Sequence, residues 1–284
     1  MARRLPDMSS MFKMPGSGGA SGGGNGNGQG FTFMPQMSGM LGMPFGGIGG
    51  MRTQNNQTFQ ATPMPRAPVE SFFFRVHPED QEKYSEALND PCCICLTDLD
   101  LNDQDHIVCL RKCSHLFHQS CAKQALNNRA QCPRCMVWYC AALGTQPHGS
   151  TMSVSYMPGS MVPGHRDANG FIVIHYDLPS GIQDDTHPRP GRRFHGTSRT
   201  AYLPNNAVGQ EVLELLRFAF NQRLTFTVGD SVTTGAKDVV TWNGIHHKTS
   251  MGPGPFGYPD ETYLKRVKDE LSAYGISSDN MRLF

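Results

Sequence analysis

The sequence predicts an α+β protein behind an unstructured leader, and three observations carry that prediction. Eight cysteine and histidine side chains recur in closely paired spacings between residues 92 and 135. Beyond residue 140, β-branched and aromatic runs bounded by Gly and Asp alternate with segments of helical periodicity. Before residue 68, Gly, Met, Pro, Asn and Gln predominate, in stretches such as GSGGASGGGNGNGQG. Such a segment cannot bury enough apolar surface to offset its ordering entropy, so residues 1–68 read as a disordered leader. Its Met and Phe clusters, FTFMPQM and MLGMPF, are part of that tail or short docking motifs.

The 284 residues leave room for roughly two domains. A formal charge of +1 argues against a dominant electrostatic footprint on nucleic acid and points to proteins or small ligands as partners. No apolar run approaches the ~18 residues that suggest a bilayer span, and Arg3 and Arg4 are not followed by the apolar core of a signal peptide. The expected setting is soluble and cytoplasmic, with the nucleus as a second location and no membrane partner.

Folding is expected to begin near Phe72, in a lead-in region over 69–91 whose PEDQEKYSEAL (78–88) has the acidic start and helix formers of a short helix. Next comes Cys92-x2-Cys95, then Cys113-x-His115-x2-His118-x2-Cys121, then Cys132-x2-Cys135. Zn2+ takes four thiolate or imidazole ligands at a tetrahedral site, and a C-x2-C pair brings two sulfurs to one metal through a tight turn. Eight ligands therefore fit two zinc ions. A disulfide framework suits the interleaved histidines and the absent secretion signal poorly. Six of the nine cysteines enter this frame. Cys109, in the apolar run HIVCL, and Cys140 read as packing residues, and Cys93 lies between two ligands.

In the C-terminal region, FIVIHYDL (171–178), LTFTV (224–228) and VVTW (239–242) read as strands. GQEVLELLRFAFNQR (209–223) carries Val212, Leu215, Leu216, Ala219 and Phe220 at helical spacing. A last helix is expected from Asp260, as N-cap, to about Tyr274, stopped by Gly275. On that helix, at about 100° per residue, Glu270 falls beside Tyr263 and Tyr274 at the edge of the stripe made by Leu264, Val267 and Leu271. A half-buried carboxylate there suits a general base; an ordinary helix-flank glutamate is the other reading.

The ligand order resembles one class of RING finger, over residues 92–139. Ile94 between the first two cysteines, Phe117 before the second histidine and Pro133 inside C-P-x-C agree with that family. The resemblance implies a cross-brace, with Cys92, Cys95, His118 and Cys121 on one zinc and Cys113, His115, Cys132 and Cys135 on the other. Cys109 competes with Cys113 as third ligand, and RING spacing favours Cys113. The resemblance further implies that Ile94, Leu126 on the helix after Cys121, and Pro133 form a groove for an E2 enzyme carrying ubiquitin as a thioester. The chain departs from many active RINGs at Met136, where they place a cation.

GTQPHG (144–149), GIQ (181–183), HPRPG (187–191), AYLPNN (201–206), FTVGDSVTTG (226–235), WNGIHHKT (242–249) and GYPDETYL (257–264), in that order, resemble the Deltex C-terminal domain, over 144–284. Together with the preceding RING they are similar to the module of Deltex-family ubiquitin ligases, here without the WWE repeats of some members. The resemblance implies a pocket for ADP-ribose, free, within NAD+ or attached to a protein. Trp242 and Tyr258 are candidates for stacking, Ser231, Thr233, Thr234 and Gly235 for a donor-rich turn, and His246 for hydrogen bonding or proton transfer, with His247 the less favoured partner. Each has a plainer reading: Trp242 as core, the turn as a hairpin, His246 as structural. In the resemblance Glu270 activates a ribose hydroxyl for attack on the ubiquitin thioester, joining ubiquitin to ADP-ribose. Some members have histidine directly before GYPD, where this chain has Phe256. Arg189, Arg192, Arg193 and Arg199 form a basic cluster suited to pyrophosphate, nucleic acid or simply solvent.

The expected function is thus a RING-type E3 ubiquitin ligase using two zinc ions, an E2, ubiquitin and ADP-ribosylated proteins. A connection to Notch-pathway proteins is implied by the resemblance alone. The rival is a non-catalytic, zinc-stabilised scaffold that reads ADP-ribose.

Overall fold

The computed structural model describes residues 57–281; the expected leader lies outside the described residues except for its end, 57–68. That end departs from expectation. Strand β1 (Gln57–Gln60) pairs antiparallel with β5 (Thr151–Met157), Phe59 facing Met152, and so forms the edge of the C-terminal sheet. QTFQ lies close to low-complexity sequence and carries one apolar residue, so nothing local marks it as a strand.

The lead-in region is likewise part of the metal-ligand module. A 3-10 turn at Val69–Phe72 runs into β2 (Phe73–Arg75), which pairs with β3 (Ile107–Leu110), itself paired with β4 (Leu116–His118). Helix α1 (Gln81–Leu88) follows a 3-10 turn at Pro78–Asp80, as the acidic start predicts. Helix α2 (Gln119–Asn128) covers the sheet, placing Ala122 and Leu126 in a core with Phe72, Phe73, Val108 and Phe117. Cys109 packs in that core at 1% exposure, as expected of a small hydrophobe.

The C-terminal domain is built on the antiparallel sheet β1-β5-β6-β9, with β6 at Phe171–Leu178 and β9 at Thr197–Pro204. Alternation along β6 turns Ile172, Ile174, Tyr176 and Leu178 inward. Between β6 and β9 lies a small ribbon of β7 (Gly181–Ile182) and β8 (Arg193–Phe194). Helix α3 (Ala207–Asn221) starts where Asn206 Oδ1 accepts the N–H of Gly209 at 2.8 Å. A Cβ on Gly209 would stand 1.8 Å from Pro204 O, so glycine lets the helix start directly off β9. Hairpin β10 (Phe226–Gly229) and β11 (Val239–Trp242) follows, then α4 (Tyr263–Ser272) and a final turn α5 (Ser278–Met281). Tyr263, Leu264, Val267 and Leu271 form the buried stripe of α4. Asp260 does not begin this helix. It accepts from Thr262 and pairs with Lys248 at 2.7 Å and Arg266 at 3.0 Å, and these contacts hold its carboxyl below the usual range. No helix among the described residues is long and apolar enough to cross a membrane.

Candidate metal centre and C-terminal site

Two turns of the same construction carry the C-x2-C pairs. In the first, Leu96 N–H donates to Cys92 O at 2.7 Å and Cys92 N–H to Thr97 O at 2.9 Å. In the second, Met136 N–H donates to Cys132 O and Cys132 N–H to Val137 O, both at 2.9 Å. Leu96 and Met136, each just after the second cysteine, have φ of 64° and 63°. Met136 thus sits in a left-handed turn position with its side chain 54% exposed.

The interleaved histidines complete two quartets. Cys92, Cys95, His118 and Cys121 form one, and Cys113, His115, Cys132 and Cys135 the other, with all four ligand atoms of each within 4.8 Å of one another. A tetrahedron with Zn–S bonds of about 2.3 Å has edges of about 3.8 Å, so the quartets fit zinc. Their outer contacts agree. His118 Nε2–H donates to Asp98 O at 3.1 Å, which turns Nδ1 toward Cys95 Sγ at 3.3 Å, and Tyr139 Oη lies 3.3 Å from Cys113 Sγ. Burial pushes the Cys121 and Cys132 thiols up to about 12, whereas Thr97 holds Cys95 down at about 6. Three thiols this close to one another and to a neutral imidazole are all deprotonated together only around a cation, and a bound zinc would supply that charge.

Of the expected groove residues, Ile94 is 37% exposed and Pro133 is exposed on the second turn. Leu126 is a correction: at 0% exposure it belongs to the module core and cannot line an open groove. Its spacing after Cys121 suited either face of a short helix, and the apolar side faces the sheet. Leu126→Ala is expected to lower the stability of this module by about 2–5 kcal/mol, read by urea unfolding, as for other core truncations.

In the C-terminal domain, Glu270 on α4 meets the segment after β11. Its Oε2 accepts the backbone N–H of His246 at 2.8 Å and its Oε1 lies 2.6 Å from His246 Nδ1. The Glu270 side chain is 18% exposed and that of His246 69%. The hydrogen bond that the Glu270 carboxylate accepts from the imidazole raises the His246 pKa above its ordinary value. His247 points inward: its Nδ1–H donates to Ile245 O at 3.0 Å, its Nε2 accepts from Tyr176 Oη at 2.9 Å, and burial lowers its pKa to about 4.

The two histidines make opposite contributions to pH dependence. The unfolded chain, where imidazole titrates near 6.5, takes up the His247 proton more readily than the folded one. Stability from His247 is therefore complete above that pH and falls toward pH 4, by about 2 kcal/mol at pH 5. His246, with its pKa raised, contributes below the unfolded value and loses that contribution as pH rises through the folded one; its exposure keeps the effect small. Urea titrations at pH 8 and pH 5 check the larger effect, and His247→Gln flattens the difference.

The expected ligand residues divide. Tyr258 is a correction: it is fully buried, its hydroxyl donating to Tyr202 O at 2.9 Å, and it offers no face to a ligand. Trp242 is half-buried and stacks on Phe226 and on His247, each at 4.4 Å, so its ring is largely committed within the protein. Ser231, Thr233, Thr234 and Gly235 form the tip region between β10 and β11, with Gly235 at φ 70° and its N–H donated to Ser231 O at 2.8 Å. Ser231 Oγ accepts the Thr234 N–H at 3.2 Å, so part of that donor set caps its own turn. In the basic cluster, Arg189 pairs with Asp230 and Asp238, each at 2.5 Å, and Arg199 donates to Thr197 and Ser198. Phe256 is 63% exposed on the loop between Lys248 and Asp260. The sequence reading gave no role to Tyr274, whose hydroxyl meets the backbone of Gly244, or to Tyr139 beside Cys113; the one sequence signal was Tyr274 four residues beyond Glu270, on the same face.

Comparison with known proteins agrees with this two-part layout. Residues 90–136 match the ring finger domain family and residues 143–276 the Deltex C-terminal domain family. A Homo sapiens protein named probable E3 ubiquitin-protein ligase DTX3 is 46% identical over 197 residues, covering 69% of this chain and 55% of its own length. The Mus musculus E3 ubiquitin-protein ligase DTX1 is 44% identical over 177 residues, 59% of this chain and 28% of its own. A third relative, the Mus musculus E3 ubiquitin-protein ligase DTX4, is 43% identical over 180 residues, 60% and 29% of the two chains. The chain thus spans about half the length of the DTX3 relative and under a third of the other two. It carries a RING finger followed at once by a Deltex C-terminal domain, and the relatives that share the two are named as E3 ubiquitin-protein ligases.

Proposed function

We propose that the chain is a RING-type E3 ubiquitin ligase that docks an E2–ubiquitin thioester and binds ADP-ribose, NAD+ or ADP-ribosylated proteins through its C-terminal domain, joining ubiquitin to ADP-ribose. The observation that carries the reading is the pairing of two zinc-fitting quartets, which form the RING frame, with the His246–Glu270 contact in the adjoining domain. The RING contributes no acid or base; it acts by holding the thioester in a reactive orientation. Ile94 and Pro133, exposed on the two C-x2-C turns, are its apolar contacts with the E2. Zinc, when bound, supplies the charge that fixes those turns.

In the C-terminal domain both Glu270 oxygens are engaged by His246, which refines the expected division of labour. With Nδ1–H donated to Glu270, the imidazole presents Nε2 as the basic nitrogen on its exposed side. That nitrogen takes the ribose hydroxyl proton while Glu270 orients the ring and stabilises the imidazolium. The hydroxyl oxygen forms a bond to the ubiquitin carbonyl carbon, the C–S bond breaks, and the E2 cysteine leaves as thiolate. Ser231 and Thr233 in the exposed turn are the adaptable ligand contacts. Calorimetric titration of the full chain with ADP-ribose tests the pocket: wild type binds and His246→Ala binds more weakly. Equal affinity for the two would remove His246 from the site, and no heat from either would remove the pocket.

A further inference from the structure

The RING meets the C-terminal domain at the last turn of α4, and the residues meeting there lead to His246. That turn closes in a Schellman arrangement: Ile276 N–H donates to Leu271 O at 3.1 Å and Gly275 N–H to Ser272 O at 2.9 Å, with Gly275 at φ 79°. Carbonyls left over at the helix end are satisfied from outside it. Arg129, just after α2, donates through Nη2 to Ala273 O at 3.4 Å, and the N–H of Ala142 donates to Tyr274 O at 2.9 Å. A cation is favourable at this pole of a helix. The Arg129 guanidinium also lies 4.8 Å from the centroid of the Trp138 ring. Trp138 is 8% exposed and packs against Gly275 so closely that a Cβ there would stand 2.9 Å from the indole.

Two side chains project from this braced turn to the segment holding His246. The Tyr274 hydroxyl is hydrogen-bonded by the backbone of Gly244, at a contact so close that a Cβ on Gly244 would lie 2.5 Å from it. One turn earlier, Glu270 holds both the backbone and the ring of His246. The brace is itself tied on its far side. Arg66, on the strap that follows β1, donates to Asn127 O at 2.8 Å and to Leu126 O, at the end of α2 beside Arg129.

We propose that Arg129 and Trp138 of the RING are positioning residues for the C-terminal site: by fixing the last turn of α4 they let Tyr274 and Glu270 hold residues 244–246. The RING then does more than present an E2; it also sets the geometry of the site where the acceptor is handled. As a role in the reaction this rests on His246 and Glu270 being the reacting pair.

The test is a nuclear magnetic resonance titration of the His246 imidazole in the zinc-loaded full chain, without ligand or ubiquitin, for wild type, Trp138→Ala and Arg129→Gln. The groups acting on that ring are Glu270, which raises its pKa, and Arg266 and Lys248, which lower it. In both variants two zincs are retained, and the His246 pKa falls from its raised value toward the ordinary ~6.5. Amides of Gly275 and Ile276 exchange about tenfold faster or more, while those of β6 do not change. An unchanged titration and unchanged exchange, in a variant that keeps two zincs, overturn the proposal. Should Trp138→Ala lose zinc, Arg129→Gln decides. Because neither ADP-ribose nor ubiquitin is present, a shifted titration beside absent ADP-ribose binding sinks the functional reading and leaves the brace standing.

Discussion

Replacing Cys132 with Ser is expected to unfold the RING. Cys132 is fully buried and supplies one corner of the second quartet, so its loss leaves a hydroxyl where a thiolate should bind. A structural zinc contributes about 10–16 kcal/mol of apparent binding free energy in small modules, which matches or exceeds the net stability of about 5–15 kcal/mol of a whole domain. The two quartets interleave along the chain, so loss of one metal loosens the segments that carry the other. Bound zinc, measured per chain, falls below two, and amides of β3 and α2 lose their protection from exchange. Those of β6, in the core of the C-terminal sheet, stay protected. Cys109→Ala is the contrast: this thiol packs in the core without belonging to either quartet, and the variant keeps both zincs.

Glu270→Gln is expected to slow the joining of ubiquitin to ADP-ribose by about 10²- to 10⁴-fold, the usual contribution of positioned acid–base catalysis. The amide can still accept one hydrogen bond from His246, and the site keeps its shape. It carries no charge to stabilise an imidazolium, however, and its NH2 group, turned to Nδ1, favours the tautomer with the proton on Nε2. Calorimetry should show ADP-ribose affinity close to wild type, and self-ubiquitination through the RING should continue. The split between the two products separates a role in proton transfer from general damage to the fold.

How far these features were legible in the sequence depended on whether their cause was local. The two C-x2-C pairs were legible because a tight turn brings both sulfurs to one metal, whereas the division of the other four ligands between the quartets came from the resemblance to RING fingers. Strand β6 and helix α3 were visible because each has an apolar periodicity of its own. Strands β5 and β9 are harder to see: β5 alternates Met152, Val154 and Tyr156 with Ser and Thr but lies in a Gly-, Ser- and Pro-rich stretch that resembles a linker, and β9 has apolar residues only in its second half. Strand β1 depends entirely on the exposed edge of β5, some ninety residues further on. The half-buried position of Glu270 was legible because helical geometry alone places it beside the apolar stripe. Tyr258 and Leu126 were misplaced for one reason: an apolar or aromatic residue in a motif looks the same whether it faces a ligand or the core. Trp138 and Arg129 act across domains on Gly275 and Ala273, and no spacing rule connects them.

The most direct test of the central claim is a reconstituted reaction of the full chain with E1, a panel of E2 enzymes, ubiquitin and ATP, followed by the appearance of ubiquitin conjugates. With at least one E2 the wild-type chain is expected to build conjugates, and Ile94→Ala, which keeps both zincs, to build far fewer. No conjugates with any E2 from a zinc-loaded chain would contradict the ligase reading and favour a scaffold that reads ADP-ribose without transferring ubiquitin.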